Sequence, residues 1–113
     1  MQNIVFEKGL ENNDYTSLAI ELSGAYNQAS SGKGVERHAT GEAFKDQLIC
    51  EETRRIGFGF PLGQARKKIV ESLRLLELRG ANAAIHELHG AINYIAAACI
   101  VMREKLKDSE KQQ

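Results

Sequence analysis

The stretch Gly57-Phe58-Gly59-Phe60-Pro61-Leu62-Gly63 threads two aromatics between glycines and runs straight into Gln64-Ala65-Arg66-Lys67-Lys68. A glycine-rich turn that feeds a helix start presents unpaired backbone N–H groups and the positive end of the helix dipole. Both attract a phosphate. Arg66, Lys67 and Lys68 follow one turn further in, placed to close on an anion, and Phe58 and Phe60 can stack on a base. The glycine spacing fits neither a Walker loop nor a dinucleotide fingerprint, and no strand clearly precedes it. The same residues also suit a tight interhelix turn with its phenylalanines in the core and its cations in water.

Asn82, His86, His89 and Asn93 step by four, three and four, so they share one face of a helix. His86 and His89 are one turn apart, but His86-Glu87-Leu88-His89 is one residue short of the zinc-protease motif. Further ligands would have to come from another helix or another subunit, so no metal is expected. The stripe is read as a ligand contact, or as polar contacts in an interface. The ligand-binding set is thus Phe58, Phe60, Gly63, Arg66, Lys67, Lys68, His86, His89 and Asn93. The loop Ser31-Gly32-Lys33-Gly34 through Arg37-His38 is polar and basic; a loop of this kind can fold over an anionic ligand, and is here expected to be a connector. Cys50 stands beside Glu51 and Glu52, which raises its pKa, so nucleophilic catalysis and a catalytic residue of this kind are not expected.

These residues need helices to hold them. Asp14 is a candidate N-cap for a first helix over 15–29, with Tyr15, Leu18, Ala19, Leu22 and Tyr26 on one face. Thr40 can cap a second helix over 42–56, with Phe44, Leu48 and Ile56 inward, stopped by Gly57. Arg54-Arg55 complements its C-terminal dipole, and Glu51-Glu52 can pair with them. Pro61 suits the first turn of a third helix over 61–79, with Leu62, Ala65, Ile69, Leu73 and Leu76 on its main face. Gly80 ends it. The short step to Asn82 predicts that helices three and four form an antiparallel hairpin over 58–106.

Helix four carries the clearest pattern. Ile85, Leu88, Ile92, Ile95, Cys99, Met102 and Leu106 form one apolar seam. Ala84, Ala91 and Ala98 run beside it, and Tyr94, Ala97, Ile100 and Val101 make the other side apolar too. A helix that is apolar nearly all round must be covered on more than one side. A short chain has few elements to do so, and self-association is the expected consequence. Cys99, on the seam, is expected to be a small buried apolar residue.

The expected fold class is all-α, a single domain of four helices in an oligomeric bundle. Residues 1–13 form a flexible or docking arm, 14–57 hold helices one and two, and 107–113 are a fraying polar tail. At 113 residues there is room for one modest core, with 42% apolar and 27% charged residues. Fifteen acids balance fifteen bases, which gives no reason to expect a nucleic-acid binder. The apolar run 95–102 falls short of the roughly 20 residues that span a bilayer, so no membrane contact is expected. Two cysteines make no disulfide framework, and a reducing cytoplasm fits.

Helices three and four resemble the all-α MazG-like nucleotide pyrophosphohydrolases. The stretch 67–77, KKIVESLRLLE, looks like that family's first metal helix with Glu71 at an acid position. His86 to Ile95 looks like the second, with Glu87 matching its glutamate. Ser72 and Gly90 stand where the family's other acids belong. The resemblance implies a helical dimer or tetramer whose magnesium chemistry is lost or relocated. The chain also resembles in style the small accessory proteins of bacteriophages. The expected function is a non-catalytic oligomeric binding protein, without cofactor, for a phosphate-bearing small molecule such as a nucleotide. The alternatives are an inhibitor or regulator of a host defence complex, and a divergent pyrophosphohydrolase using Glu71, Glu77 and Glu87 with Glu51 or Glu52.

Overall fold

The computed structural model describes residues 13–31 and 42–111. Among them the chain is all-α, with four α-helices, two 3-10 turns and no strand. Helix α1 spans Thr16–Ser30, α2 Leu48–Ile56, α3 Gly59–Arg79 and α4 Ala81–Lys111. Residues 1–12 of the arm expected over 1–13, Thr40 and the loop from Gly32 to His38 lie outside the described residues.

Two glycines set the helix ends. Gly57 takes φ 115° and its N–H donates to the Thr53 carbonyl, closing α2. Gly80 takes φ 96° and its N–H reaches back to the Leu75 carbonyl, closing α3 with a single residue before α4 begins. Both values favour a residue without Cβ. The expected second helix is divided. Phe44–Asp46 is a 3-10 turn, Gln47 is extended, and α2 starts at Leu48. The break lets Phe44 turn onto the core while the Gln47 carbonyl accepts from the Cys50 and Glu51 N–H groups. Asp14 sits in the 3-10 turn Asn13–Tyr15 rather than at the N-cap position, which Tyr15 holds without a side-chain bond. The polar tail beyond Leu106 continues as part of α4 to Lys111. Its last turns are made of good helix formers.

α4 is the spine, and α1, α2 and α3 all pack on it. Its 31 residues make a rod about 46 Å long, close to the longest dimension of 49 Å. The radius of gyration is 15.5 Å, against about 13 Å for a compact chain of this length. By length and composition α4 is apolar enough to cross a membrane, its best 18-residue stretch averaging a hydropathy of 1.2.

The core is made of small side chains. Ala65 and Ser72 of α3 are buried, as are Ala84, Ala91, Ala97, Ala98 and Val101 of α4, and Cys50 and Thr53 of α2. Phe44, Ile49, Phe58 and Ile100 pack around Cys50, Ala97 and Val101. No Leu, Ile, Phe, Met or Tyr among the described residues is fully buried. This corrects the expected faces. Of the α3 set only Ala65 goes in, while Leu62, Ile69, Leu73 and Leu76 stay exposed. On α4 the alanine row is buried, and Ile85, Leu88, Ile95, Cys99, Met102 and Leu106 remain exposed. On α2, Leu48 and Ile56 point out while Cys50 and Thr53 are buried. On α1, Ala19 and Ala25 are covered and Tyr15, Leu18 and Tyr26 are not. The physical reason is distance: alanine rows let helix backbones approach closely, and the larger side chains are displaced to the flanks.

Candidate functional site

The glycine-rich turn is locally satisfied. The Phe60 N–H donates to the Gly57 carbonyl at 3.2 Å and the Leu62 N–H to the Phe58 carbonyl at 3.1 Å. Pro61 has no N–H to offer. Three of the positions that would cradle a phosphate thus carry no spare donor. Phe58 packs on the Cys50–Ala97–Val101 core, with the Lys105 ammonium 5.9 Å from its ring centre. Phe60 meets Tyr94 edge-on, with centroids 6.0 Å apart. Gly63, Arg66 and Lys67 are exposed on the first turns of α3.

Three of the predicted residues come together where α1, α3 and α4 meet. Lys68 of α3 reaches Glu87 of α4 at 3.3 Å. His89 of α4 lies 3.0 Å from Glu21 of α1, through its Nε2. The Asn93 amide donates to the Ala25 carbonyl at 3.1 Å. His86 is exposed on the same helix and joins none of these bonds. Gly90 sits in the middle, where a Cβ would come within 3.1 Å of the Lys68 chain and 3.4 Å of the Gln28 amide nitrogen. The Gln28 carbonyl oxygen is buried with no hydrogen-bond partner among the described residues. Two residues of the polar stripe of α4, His89 and Asn93, therefore help to seat α1, while Asn82 and His86 stay exposed. Sequence reasoning missed Glu21 and Gln28, which carry no motif and become visible only once α1 is docked.

The acids of the family resemblance are engaged elsewhere. Glu71 pairs with Arg74 on its own helix, which holds its carboxyl below the usual range. Glu87 is held by Lys68. Ser72 is buried and donates to the Ile69 carbonyl at 2.6 Å. No three His, Cys, Asp or Glu among the described residues converge as a metal site. The Cys50 thiol is pushed up first by its burial; the Arg54 charge opposes this, and Glu104 and then Asp46 add smaller upward pushes. The neighbours Glu51 and Glu52, expected to be the cause, are not.

A second feature lies outside this junction. Leu62, Ile69, Leu73 and Leu76 on α3 and the seam of α4, apart from the half-buried Ile92, form exposed apolar rows. No protein-family model, no curated protein and no solved structure matches the chain.

Proposed function

We propose that the chain is a non-catalytic helical binding protein that works as a homo-oligomer. Its joined copies shape a cleft for a phosphate-bearing small molecule. The observation that carries this reading is the inverted burial: alanines lie inside, while leucines and isoleucines lie along the outside of α3 and α4. Monomers rarely leave contiguous apolar patches larger than a few hundred Å².

The two rows belong to one face if α3 and α4 form an antiparallel hairpin. The pairings Phe60–Tyr94 and Lys68–Glu87 support that sense, since the residue number rises on one helix as it falls on the other. The α3 positions turned towards α4 are Pro61, Ala65, Lys68, Ser72 and Leu75, and the outer row 62, 66, 69, 73, 76 falls one residue later at each. On α4, Ile85, Ile92 and Cys99 fall one residue after Ala84, Ala91 and Ala98. Each step of one residue turns about 100° around its axis. Antiparallel axes bring both turns to the same side. That side is about 30 Å long and about 20 Å wide, on the order of 600 Å² in flat projection. Its accessible area is larger and approaches the roughly 800 Å² per partner of a standard interface. A second copy offers the same apolar face, and two such layers close a four-helix bundle.

Sedimentation equilibrium of the full chain tests the reading. An assembled species at micromolar concentration is expected, and Leu73→Asp is expected to shift it to monomer while keeping the helical circular dichroism. A folded wild-type monomer at millimolar concentration would overturn it. A second reading, an interaction module for a host complex, is favoured by Leu18, Ile20, Val70 and Leu78, which are exposed away from this face. A wild type that assembles and also holds one stoichiometric foreign protein would support that alternative.

A further inference from the structure

The uncovered face is not equally wide along its length. The pairings Lys68–Glu87 and Phe60–Tyr94 fix the level of α3 against α4, and they set Leu62 level with Ile92 and Ile69 level with Ile85. α3 begins at Gly59, level with Ile95, so it accompanies only the first half of the seam. Cys99, Met102 and Leu106 run on alone. α2 does not widen the face there, because its Cys50 packs on Ala97 and Val101. Those residues stand two before and two after Cys99, on the opposite side of the helix. The exposed surface is therefore two helices wide at one end and one helix wide at the other.

From this shape we infer that two copies meet end for end. Their α4 seams lie antiparallel about a two-fold axis that crosses α4 near Ile95, and the narrow half of each face is covered by the wide half of the other. The inference rests on the self-association proposed above and adds how the second copy is placed. When two layers stack, the two-fold axis between them runs either along the helices or across them. If it runs along them with α4 opposite the partner's α3, both narrow halves stand at the same end, and Cys99, Met102 and Leu106 stay in water. If it runs along them with α4 opposite α4, the seam is covered, but the α3 rows diverge to opposite flanks and face nothing. An axis across the helices lets each copy fill what the other lacks. Ile85 then lies level with Leu106 of the partner subunit, Leu88 with Met102 of the partner subunit, and Ile95 with its own copy. Leu62 and Ile69 of α3 come alongside Cys99 and Leu106 of the partner subunit. Steps of three and four keep the seam against a neighbouring helix over its whole length. Apolar stabilisation grows with the area removed from water, so the placement that covers both halves is favoured over the other two.

The test is disulfide scanning of the full chain. Cys99→Ser removes the native thiol from the face, Cys50 stays buried, and Ile85→Cys, Ile95→Cys or Leu106→Cys is added singly. Sedimentation equilibrium establishes assembly of each variant and circular dichroism its helices. Mild oxidation and a non-reducing gel then read the covalent dimer. Ile95→Cys is expected to link to its own copy. Ile85→Cys and Leu106→Cys are each expected to stay unlinked alone, because end for end each lies about 30 Å from its own copy, and a disulfide needs Cα atoms within about 7 Å. Mixed in equal amounts, those two are expected to link to each other. Leu88→Cys mixed with Met102→Cys repeats the readout at a second level. If Ile85→Cys or Leu106→Cys links to its own copy as readily as Ile95→Cys does, the seams run parallel and the placement is overturned. Assembly in which no position on α4 links, alone or mixed, also overturns it and leaves self-association standing. Wild type and all variants monomeric at millimolar concentration would instead remove the underlying reading.

Discussion

Gly24 lies in the middle of α1, where glycine is a poor helix residue, and its neighbour explains it. A Cβ there would come within 2.3 Å of the His89 imidazole. The ring lies over the bare backbone of α1 and from there reaches Glu21. Alanine at position 24 gains about 1 kcal/mol in helix propensity. It also forces the ring aside, and overpacking of this kind costs about 1–3 kcal/mol. Gly24→Ala is therefore expected to lower stability by about 1 kcal/mol in urea unfolding. In a His89→Ala background the same change is expected to raise it by up to about 1 kcal/mol, since only propensity remains. A single Gly24→Ala that melts above wild type would show that the ring is free to move. At this scale the sequence was half legible. The four-three-four spacing put His89 and Asn93 on one face, and Glu21, Gly24 and Gln28 share a face of another helix by steps of three and four, but spacing within each helix does not say that the two faces meet. Nothing local could announce that the stripe holds α1.

Helices show the same division. The breaks at Gly57 and Gly80 were readable because each needs a positive φ that glycine takes freely. The helix spans of α1 and α3 followed within a residue or two. The buried faces were not readable, because apolar periodicity does not say which of two adjacent rows on a helix turns inward. Residue size suggests the large row, and close helix packing chose the small one. The α2–α4 contact is secured differently, by Arg54 and Glu104, which meet in two parallel bonds of 2.8 Å. Arg54 also donates to the Lys45 carbonyl. The Glu104 carboxyl is held below its usual value of 4.5, first by the hydrogen bond from Arg54 and then by charge. A depressed carboxylate stabilises the fold above its unfolded pKa, and that contribution fades as pH falls through the lower folded value. Glu104→Gln is thus expected to be less stable than wild type at pH 7 by at most about 1 kcal/mol, the pair being partly exposed. The gap should narrow below pH of about 4.5 and close in stronger acid. Glu52 and Glu71 are also lowered by their arginines, so thermal melts of variant and wild type are compared pH by pH. A gap constant from pH 7 to pH 3 would assign the loss to packing instead.

For the molecule as a whole, the two cysteines report on two different surfaces. Cys50 is fully buried where α2 packs on α4, and desolvation pushes its thiol up. It is shielded by the fold of one chain. Cys99 is exposed among the seam residues of α4 and is shielded only if another copy covers that face. The expected buried role for Cys99 failed in the isolated chain for the same reason that the leucines stayed outside. On the proposed reading, burial at this position would come from a second copy. Alkylation with N-ethylmaleimide, followed by mass spectrometry, separates the two. In the folded protein Cys50 is expected to stay unmodified. The Cys99 rate is expected to fall as protein concentration rises through the association constant, by a factor that follows the assembled fraction. Leu73→Asp, on the facing row of α3, is expected to abolish that concentration dependence while leaving Cys50 protected. If Cys99 reacts at one rate across the whole range in which sedimentation finds assembly, the copies meet through another surface.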